Sequence, residues 1–329
     1  MYKDLEIIDG HIHCSAQTDI NYLSDFIFKT NTDKALILAC SHSKLLTLTP
    51  MALQMKKNYP DKFFVFSAPD VTAYTNHPND LGEYFVSYFE DLINKGVDGI
   101  KLLEGKPQMR KKYPIPDFDH EVWEPFFKWA EEKQFPILWH VNDPEEFWDY
   151  ENAPAFAISQ GWLYDDSYVN NEAQYTQVLN VLKRHPKLRI DFAHFFFMSK
   201  QLNRLSNILD TYPNVYIDLT PGIEMYENFS KDINNTKIFF EKYHNRIIYG
   251  TDIGGRCVLM GEEKEFDELE NTRRPEVVRD FLFEDKDILI ESDGHYIINR
   301  KPFVMKGLGL SKNRLEEILS KNLLNFINK

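Results

Sequence analysis

Two histidines separated by one residue, His11 and His13, end the first apolar segment of the chain, in the run Asp9-Gly10-His11-Ile12-His13. Alternate side chains of a β-strand point to the same face, so we expect the two imidazoles to project together. Two imidazoles side by side at the end of a strand are able to hold one metal ion. Because the chain has 10 histidines, such a pair arises by chance about a third of the time. The pair alone is therefore weak support for a metal site.

Further candidate ligands stand at the ends of later apolar segments. His140 ends the fifth, His194 ends the sixth and Asp252 ends the eighth. A single histidine in such a place is more often structural, but the carboxyl ends of parallel strands in a barrel meet at one mouth, where barrel enzymes keep their active sites. Imidazoles and a carboxylate are typical ligands of zinc, with iron or manganese as alternatives, and they leave a coordination position for water or substrate.

Eight short apolar segments, most of them rich in Ile, Val, Leu or Phe, alternate with longer amphipathic segments. Such segments are typical of strands buried on both faces, and parallel neighbours require crossover connections. An open doubly wound sheet is the alternative, but eight units over roughly 250 residues favour a closed (β/α)8 TIM barrel. The predicted strands are Leu5–His13, Lys34–Cys40, Phe63–Ala68, Gly99–Leu103, Phe135–His140, Leu188–His194, Val215–Leu219 and Ile247–Asp252.

Helices are predicted between these strands and after the last of them. Those between strands are Tyr22–Phe28, Met51–Asn58, Leu81–Asn94, His120–Glu132, Glu172–His185, Leu202–Asp210 and Ser230–Tyr243. Val277–Leu282 and Ser311–Ile327 are expected as C-terminal helices packed outside the barrel. The connection after the fifth strand, from Val141 to about Asn170, is long and aromatic, which is typical of a lid or binding loop. We expect one domain over residues 1–329, since single barrels commonly exceed 250 residues.

Three further residues are candidates for substrate contact. Lys101 lies inside the apolar fourth strand, so it must either reach the mouth or pair with a carboxylate, for which Glu104 and Asp252 are the nearest choices. Arg256, just after the eighth strand, suits a substrate carboxylate because a guanidinium matches that geometry. Trp148, in the long connection, suits a flat substrate ring and equally suits ordinary packing.

Composition restricts the classes of partner. The 329 residues carry a formal charge of −13 and 43% are hydrophobic. We expect a globular acidic protein that repels nucleic acid and anionic membranes. The three cysteines show no paired spacing, the first residues lack the apolar stretch of a leader, and no apolar run reaches the length of a membrane span. These features predict a cytoplasmic protein without disulfides or a zinc site built from cysteines.

The order of the motifs resembles that of the amidohydrolase superfamily, and within it the amidohydrolase-2 (amidohydrolase-related) branch. The resemblance covers all eight predicted strands and rests on the His-x-His of the first, the histidines that end the fifth and sixth, and the aspartate that ends the eighth. It implies four ligands of a divalent metal, namely His11, His13, His140 and Asp252. It also implies that His194 stands beside the metal to orient or polarise the substrate.

Two features bear on how far the resemblance extends. Small glycines often follow the strand-six histidine in this branch, whereas Phe195, Phe196 and Phe197 follow His194 here, so we expect a different local shape of the pocket. In two-metal members of the superfamily, a lysine on the fourth strand is carboxylated and bridges both ions. Lys101 lies on the fourth predicted strand of this chain. The branch is mainly single-metal, and this favours one ion with Lys101 as a pairing partner or substrate anchor.

The branch contains lactone and amide hydrolases as well as metal-dependent decarboxylases. The resemblance implies a metal-dependent hydrolase of a small amide, ester or lactone, in which Asp252 takes a proton from metal-activated water and His194 helps to stabilise the oxyanion. The alternative is a decarboxylase of a small aromatic or unsaturated carboxylic acid, with Asp252 or His194 protonating carbon. A metal-binding barrel without catalysis is the third reading. The expected partner is a small-molecule substrate, with a homodimer as the commonest oligomer.

Overall fold

A computed structural model of the chain describes residues 4–16, 18–41, 47–222, 224–254, 266–291 and 302–328. Within these residues, eight parallel strands form one sheet in which each strand pairs with its sequence neighbours. All eight predicted strands are present, several of them shorter at one end than the apolar segments suggested. The strands are β1 (Ile8–His13), β2 (Lys34–Ala39), β3 (Phe63–Ser67), β4 (Gly99–Gly105), β5 (Ile137–Val141), β6 (Ile190–Phe192), β7 (Val215–Asp218) and β8 (Ile247–Ile248).

The sheet closes because the segment after β8 hydrogen-bonds back to β1. The Asp252 N–H donates to the His11 carbonyl over 2.8 Å, and the His13 N–H donates to the Ile253 carbonyl over 2.8 Å. Ile12 and Ile253 form a parallel bridge at the same place. The TIM-barrel prediction is therefore confirmed, and the closure puts the carboxyl ends of β1 and β8 side by side.

Helices surround the barrel and follow most of the predicted bounds. Over the described residues they are α1 (Ile20–Lys29), α2 (Thr49–Asn58), α3 (Ala73–Asn76), α4 (Leu81–Asn94), α5 (Pro107–Lys112), α6 (Glu124–Lys133), α7 (Ala155–Ser159), α8 (Asn171–Arg184), α9 (Leu202–Thr211), α10 (Met225–Lys231), α11 (Ile233–Tyr243), α12 (Glu268–Phe283), α13 (Lys312–Glu316) and α14 (Asn322–Asn328). A π-helical turn, Glu317–Lys321, joins α13 to α14.

The prediction of one helix over Ser230–Tyr243 is wrong, because α10 and α11 meet at Asp232. The backbone of Asp232 is not helical, with φ −131° and ψ 67°. Its carboxylate instead accepts a hydrogen bond from the Asn235 N–H. Aspartate at such a position caps the first turn of a new helix, so the segment breaks there.

The connection after β5 is as long as predicted, and it has structure of its own. It contains a 3-10 turn, Glu145–Trp148, and helix α7. Its aromatic residues form a small separate cluster in which Phe147 and Tyr164 are buried and Trp148, Trp162 and Tyr168 pack against them. A further pair of strands was not predicted from the sequence: β9 (Asp287–Ile290) and β10 (Phe303–Lys306) pair antiparallel beyond α12.

The interior of the barrel is filled by an apolar cluster distinct from the one that holds the helices to its outside. Helix α14 closes the end of this interior that lies opposite the strand ends carrying the histidines. The expectation that Ser311–Ile327 packs outside the barrel is therefore wrong for α14, because its apolar side chains enter the interior cluster. The Phe326 ring lies 6.2 Å from that of Phe66 and 5.4 Å from that of Tyr216. Leu323 is buried in the same cluster, and Asn322 Nδ2 donates to the Ile247 carbonyl over 2.7 Å. We call Leu323 and Phe326 the α14 plug.

Among the described residues, no helix combines the length and the apolar character needed to cross a bilayer.

Replacing Phe326 with alanine should destabilise the barrel strongly. The side chain is fully buried, and removal of a buried phenyl group costs about 3–5 kcal/mol through lost burial and the cavity left behind. Urea unfolding followed by tryptophan fluorescence measures the change. The control is Asn325→Ala on the exposed side of the same helix, for which we expect a change within about 0.5 kcal/mol. Equal effects of the two substitutions would show that the plug does not support the barrel.

Candidate metal centre

Three buried side chains converge where β1 and β8 end. His11 Nε2 lies 3.2 Å from His13 Nε2. Asp252 Oδ1 lies 3.3 Å from His13 Nε2 and 3.7 Å from His11 Nε2. Four ligands at zinc-bond lengths of about 2.0–2.1 Å in a tetrahedron stand about 3.3 Å apart. The spacing of these three atoms therefore fits one divalent cation, and among the described residues this is the group of His, Cys, Asp or Glu side chains able to hold one.

Asp9 ties together the two strand ends that carry these ligands. Its Oδ1 accepts from the His11 N–H over 3.0 Å and from the Thr251 N–H over 3.2 Å. The Thr251 hydroxyl donates to Asp9 Oδ2 over 2.5 Å. Asp252, the next residue, is left-handed with φ 59°, a conformation that costs a non-glycine residue about 1–3 kcal/mol. The surrounding hydrogen bonds hold Asp252 in that conformation and turn its side chain toward the two histidines.

Asp218, at the end of β7, orients His11. His11 Nδ1 lies 2.6 Å from Asp218 Oδ2. Because a carboxylate only accepts, Nδ1 carries the proton and Nε2 presents its lone pair to His13 and Asp252. A carboxylate that fixes the tautomer of a ligating histidine is a common feature around protein-bound metals. Burial also lowers the pKa of His11 well below its usual value, which favours the neutral ring that a metal requires.

Asp252 is held from behind by a buried arginine of α12. Arg274 NH1 donates to Asp252 Oδ2 over 2.7 Å, while its Nε and NH2 donate to Glu270 Oε1 over 3.1 and 2.5 Å. Burial alone would raise the pKa of Asp252, but Arg274 and the two histidines outweigh it and hold that pKa well below its usual range. Asp252 therefore stands as a carboxylate, with one oxygen on Arg274 and the other facing the histidines.

His140 and His194 lie at the same mouth of the barrel. Their ring centroids are 5.0 Å apart, and that of His194 is 5.5 Å from that of His11. His140 Nε2 lies 3.3 Å from Asp143 Oδ1, so this nitrogen faces Asp143 rather than the three convergent atoms. Burial lowers the pKa of His140 to about 4. The assignment of His140 as a metal ligand stays a prediction.

The stretch after β6 has an unusual backbone. His194, Phe195, Phe196 and Phe197 all have positive φ, between 51° and 57°. Glycine adopts this conformation at little cost, whereas other residues pay about 1–2 kcal/mol each. The aromatic rings supply compensating contacts: Phe196 stacks on Phe192 at 3.8 Å between centroids, and Phe197 stacks on His194 at 5.0 Å. The departure from glycine thus retains a left-handed turn and adds the Phe197 ring to the wall beside His194.

Lys101 is fully buried and points into the barrel from β4. Its Nζ lies 3.3 Å from His11 Nε2. Over the described residues, it forms this contact and no hydrogen bond to Glu104 or Asp252, the two partners considered from the sequence. Burial lowers the pKa of Lys101, while the acids of the barrel interior act in the opposite direction.

Over the described residues, Trp148 connects to the mouth through other side chains. Its ring packs 4.7 Å from that of Tyr164, and the Tyr164 hydroxyl donates to Asp143 Oδ2. Lys106 Nζ donates to both oxygens of Asp143, over 2.8 and 2.9 Å. The long connection after β5 is thereby fastened to the mouth beside His140. Arg256 lies outside the described residues.

Sequence reasoning missed the residues that orient the ligands. Asp218 is the last residue of β7, but it stands one position before the end of the predicted segment Val215–Leu219, so the strand-end argument passed over it. Arg274 lies inside a charged helix and gives no signal of its position behind Asp252. Cys40 follows β2, and its Sγ lies 3.4 Å from His13 Nδ1.

Comparison with known proteins places the chain in a family. The amidohydrolase-2 family model, described as "Amidohydrolase", matches residues 80–284, which is more than half of the chain. The chain belongs to this amidohydrolase family. The match begins after β1, so it includes His140, His194 and Asp252 but not His11 or His13. No curated protein matches the chain in sequence.

Several solved structures are similar in fold to this chain. A probable 2-pyrone-4,6-dicarboxylic acid hydrolase from Acinetobacter baumannii superposes with a TM-score of 0.57 at 12% identity, covering 99% of this chain and 100% of that one. A 2,6-dihydroxybenzoate decarboxylase from Rhizobium gives 0.54 at 10% identity, with 98% of both chains covered. An uncharacterized TIM-barrel protein from Bordetella bronchiseptica gives 0.61 at 12% identity, covering 99% and 100%. Proteins of similar fold thus include a hydrolase and a decarboxylase.

Replacing Asp218 with asparagine should weaken zinc binding about 10- to 100-fold. The amide would face His11 Nδ1 with its own N–H groups, which shifts the proton of His11 to Nε2 and removes the lone pair directed at the metal. Competition with a chromophoric chelator measures the affinity. Asp210→Asn makes the same change in charge at an exposed acid of α9, which pairs with Lys242, and should leave the affinity unchanged. A matching loss in both variants would exclude a specific role for Asp218.

Proposed function

We propose that this amidohydrolase is a metal-dependent hydrolase of a small amide, ester or lactone. The observation that carries the proposal is the convergence of His11, His13 and Asp252 at the spacing of zinc ligands, with Asp252 kept as a carboxylate by Arg274. Hydrolysis requires a group that accepts a proton from water beside the reacting carbonyl. A carboxylate that is paired with an arginine is such a proton acceptor. Decarboxylation requires instead a group that donates a proton to carbon, and an ionised carboxylate has no proton to donate.

His11, His13 and Asp252 would hold the cation, and His140 would complete the set by turning its ring from Asp143. We propose zinc, because three or four imidazole and carboxylate ligands are typical of catalytic zinc sites. When bound, such a cation supplies Lewis acidity, which lowers the pKa of water from about 15.7 toward 7 and polarises a carbonyl.

Asp252 would accept the proton through Oδ1, the oxygen that faces the two histidines. Arg274 holds Oδ2 at 2.7 Å, so the carboxylate cannot rotate freely and Oδ1 stays directed at the mouth. Proton transfer by a positioned side chain contributes about 10²–10⁴-fold to a rate. The same oxygen would then deliver the proton to the leaving group.

His194 would orient the reacting groups. Its Nδ1 lies 3.3 Å from the Thr220 carbonyl, which only accepts, so Nδ1 carries the proton and the neutral ring offers Nε2 as an acceptor. Nε2 can therefore receive a hydrogen bond from the attacking water or from a substrate N–H or O–H. Burial lowers the pKa of His194 well below its usual value, which keeps the ring in this neutral form.

A decarboxylase of a small aromatic or unsaturated acid is the second candidate. The observation that favours it is the Phe197 ring, which lies 5.0 Å from His194 and 5.3 Å from His140 and forms a flat wall at the mouth. Offset stacking on such a wall suits a planar ring. Arg256 and Trp148 are proposed as substrate contacts in either reaction.

A substrate panel in water labelled with oxygen-18 separates the two reactions. We expect zinc-loaded protein to hydrolyse a member of a set of lactones, esters and amides, with one labelled oxygen entering the product. Chelation should abolish turnover and zinc should restore it. Release of carbon dioxide from hydroxybenzoates or unsaturated acids without label in the remaining product would replace the hydrolase proposal with the decarboxylase.

Two substitutions test the assigned roles on the substrate that the panel identifies. Asp252→Asn should weaken zinc binding and abolish turnover, because the amide neither accepts the proton nor pairs with Arg274. His194→Ala should keep zinc content within about twofold and reduce kcat about a hundredfold, since its contribution is to the reacting groups. Zinc analysis and steady-state kinetics on both variants provide the measurements. Turnover at the wild-type rate in either variant would contradict the corresponding role.

A further inference from the structure

Lys101 makes a contact that competes with metal binding. Its Nζ lies 3.3 Å from His11 Nε2, the nitrogen whose lone pair faces His13 and Asp252. Since His11 Nδ1 already carries a proton toward Asp218, the hydrogen bond to Lys101 uses the one remaining lone pair of the ring. A cation bound by His11 needs that same lone pair, and it would also stand next to a positive ammonium group. Lys101 must therefore leave His11 when a metal binds.

Asp191 of β6 is a buried acid without a hydrogen-bond partner among the described residues. It is fully buried, and neither of its carboxylate oxygens has a partner. A buried carboxylate in this state is costly unless it acquires a proton, a hydrogen bond or a counter-charge. The other nearby acids are already engaged, because Asp218 bonds His11 and Asp252 bonds Arg274. Within the part of the chain that the structure describes, Asp191 is thus an interior acid whose two oxygens can both receive a new donor.

Sheet register brings Lys101 and Asp191 to the same level of the barrel. Lys101 pairs with Leu138 on β5, and Leu138 pairs with Asp191 on β6. Residues in register on a parallel sheet point to the same face, and Leu138 belongs to the interior cluster. Two strand spacings separate the two Cα atoms by about 9.6 Å, a gap that one lysine and one aspartate side chain can bridge. Burial and the neighbouring Asp218 raise the pKa of Asp191, and the Lys101 ammonium acts in the opposite direction.

We propose that the Lys101 ammonium has two positions, bonding His11 in the metal-free protein and Asp191 in the metal-bound protein. This inference rests on the proposed metal site. Binding of the cation releases Lys101 from His11, and the released ammonium satisfies the carboxylate of Asp191. Asp191 then acts as a positioning residue that favours metal binding through Lys101, without touching the metal.

A double-mutant cycle distinguishes this coupling from a simple effect of charge. Lys101→Met removes the competing ammonium and should tighten zinc binding at least about tenfold. Asp191→Asn removes the alternative partner and should weaken zinc binding about tenfold. In the Lys101→Met background, Asp191→Asn should alter the zinc affinity less than about threefold, because Asp191 then has no lysine ammonium to bind. The affinities are measured by chelator competition with zinc alone.

Glu104→Gln provides the matched control for loss of a buried carboxylate. Glu104 lies on the same strand as Lys101 and faces Tyr74, so its substitution should change zinc affinity less than about threefold. An equal loss from Asp191→Asn in both backgrounds would overturn the proposal in favour of direct attraction between the carboxylate and the metal. Weaker binding by Lys101→Met would overturn it as well, because Lys101 would then support the metal.

Crystal structures of the wild-type protein with and without zinc test the two positions directly and depend on no variant. We expect Lys101 Nζ within about 3.2 Å of Asp191 when zinc is bound and beside His11 when it is absent. A carboxylated Lys101 bonded to a metal, or an unmoved side chain, would refute the proposal. If neither the wild type nor any variant binds zinc, both the proposed function and this inference are refuted. If the wild type binds zinc and the variants bind it with the same affinity, only this inference is refuted.

Discussion

Three backbone hydrogen bonds between the first strand and the segment after the last one determine the rest of the site. They connect Gly10 to Tyr249, Asp252 to His11 and His13 to Ile253, and they also close the barrel. Residues more than two hundred positions apart in sequence thereby become neighbours. His11 and His13 lie on a strand, and the hydrogen bonds to that strand hold the segment that carries Asp252. A site fixed to a strand in this way is held more precisely than one built on free loops. Loss of these hydrogen bonds would therefore open the barrel and separate the candidate ligands at the same time.

The interior of this barrel contains an unusual density of ionisable groups for a buried region. Most of the carboxylates have a specific partner: Asp9 binds Thr251, Asp218 binds His11, and Asp252 binds Arg274. A buried carboxylate without donors is costly. Each pairing therefore stabilises the charge of the carboxylate and also fixes the orientation of its side chain. The polar groups thus specify which nitrogen or oxygen faces the mouth. Asp191 is the exception, because neither of its oxygens has a donor among the described residues. This unpaired acid is the reason for proposing two positions of the Lys101 side chain.

Much of this arrangement could be predicted from the sequence, and the part that could not has a physical reason. Apolar segments buried on both faces identified the eight strands, and the strand-end rule located His140, His194 and Asp252 at one mouth. The rule missed Asp218 by one residue, because the predicted segment ended at Leu219 whereas β7 ends at Asp218. By contrast, Arg274 approaches Asp252 from a helix packed outside the barrel, and no local pattern encodes that tertiary contact. The left-handed turn after β6 was equally hidden, because its three phenylalanines have no preference for that conformation. Contacts with distant rings compensate for its cost.

The α14 plug has a consequence for how the chain folds during synthesis. Leu323 and Phe326 fill the barrel interior, yet they follow β8 by more than seventy residues. At about 5–20 residues per second, the ribosome completes the eight strands several seconds before it delivers the side chains that seal them. Until then, Phe66, Leu138 and Tyr216 lack the two side chains that cover them in the complete barrel.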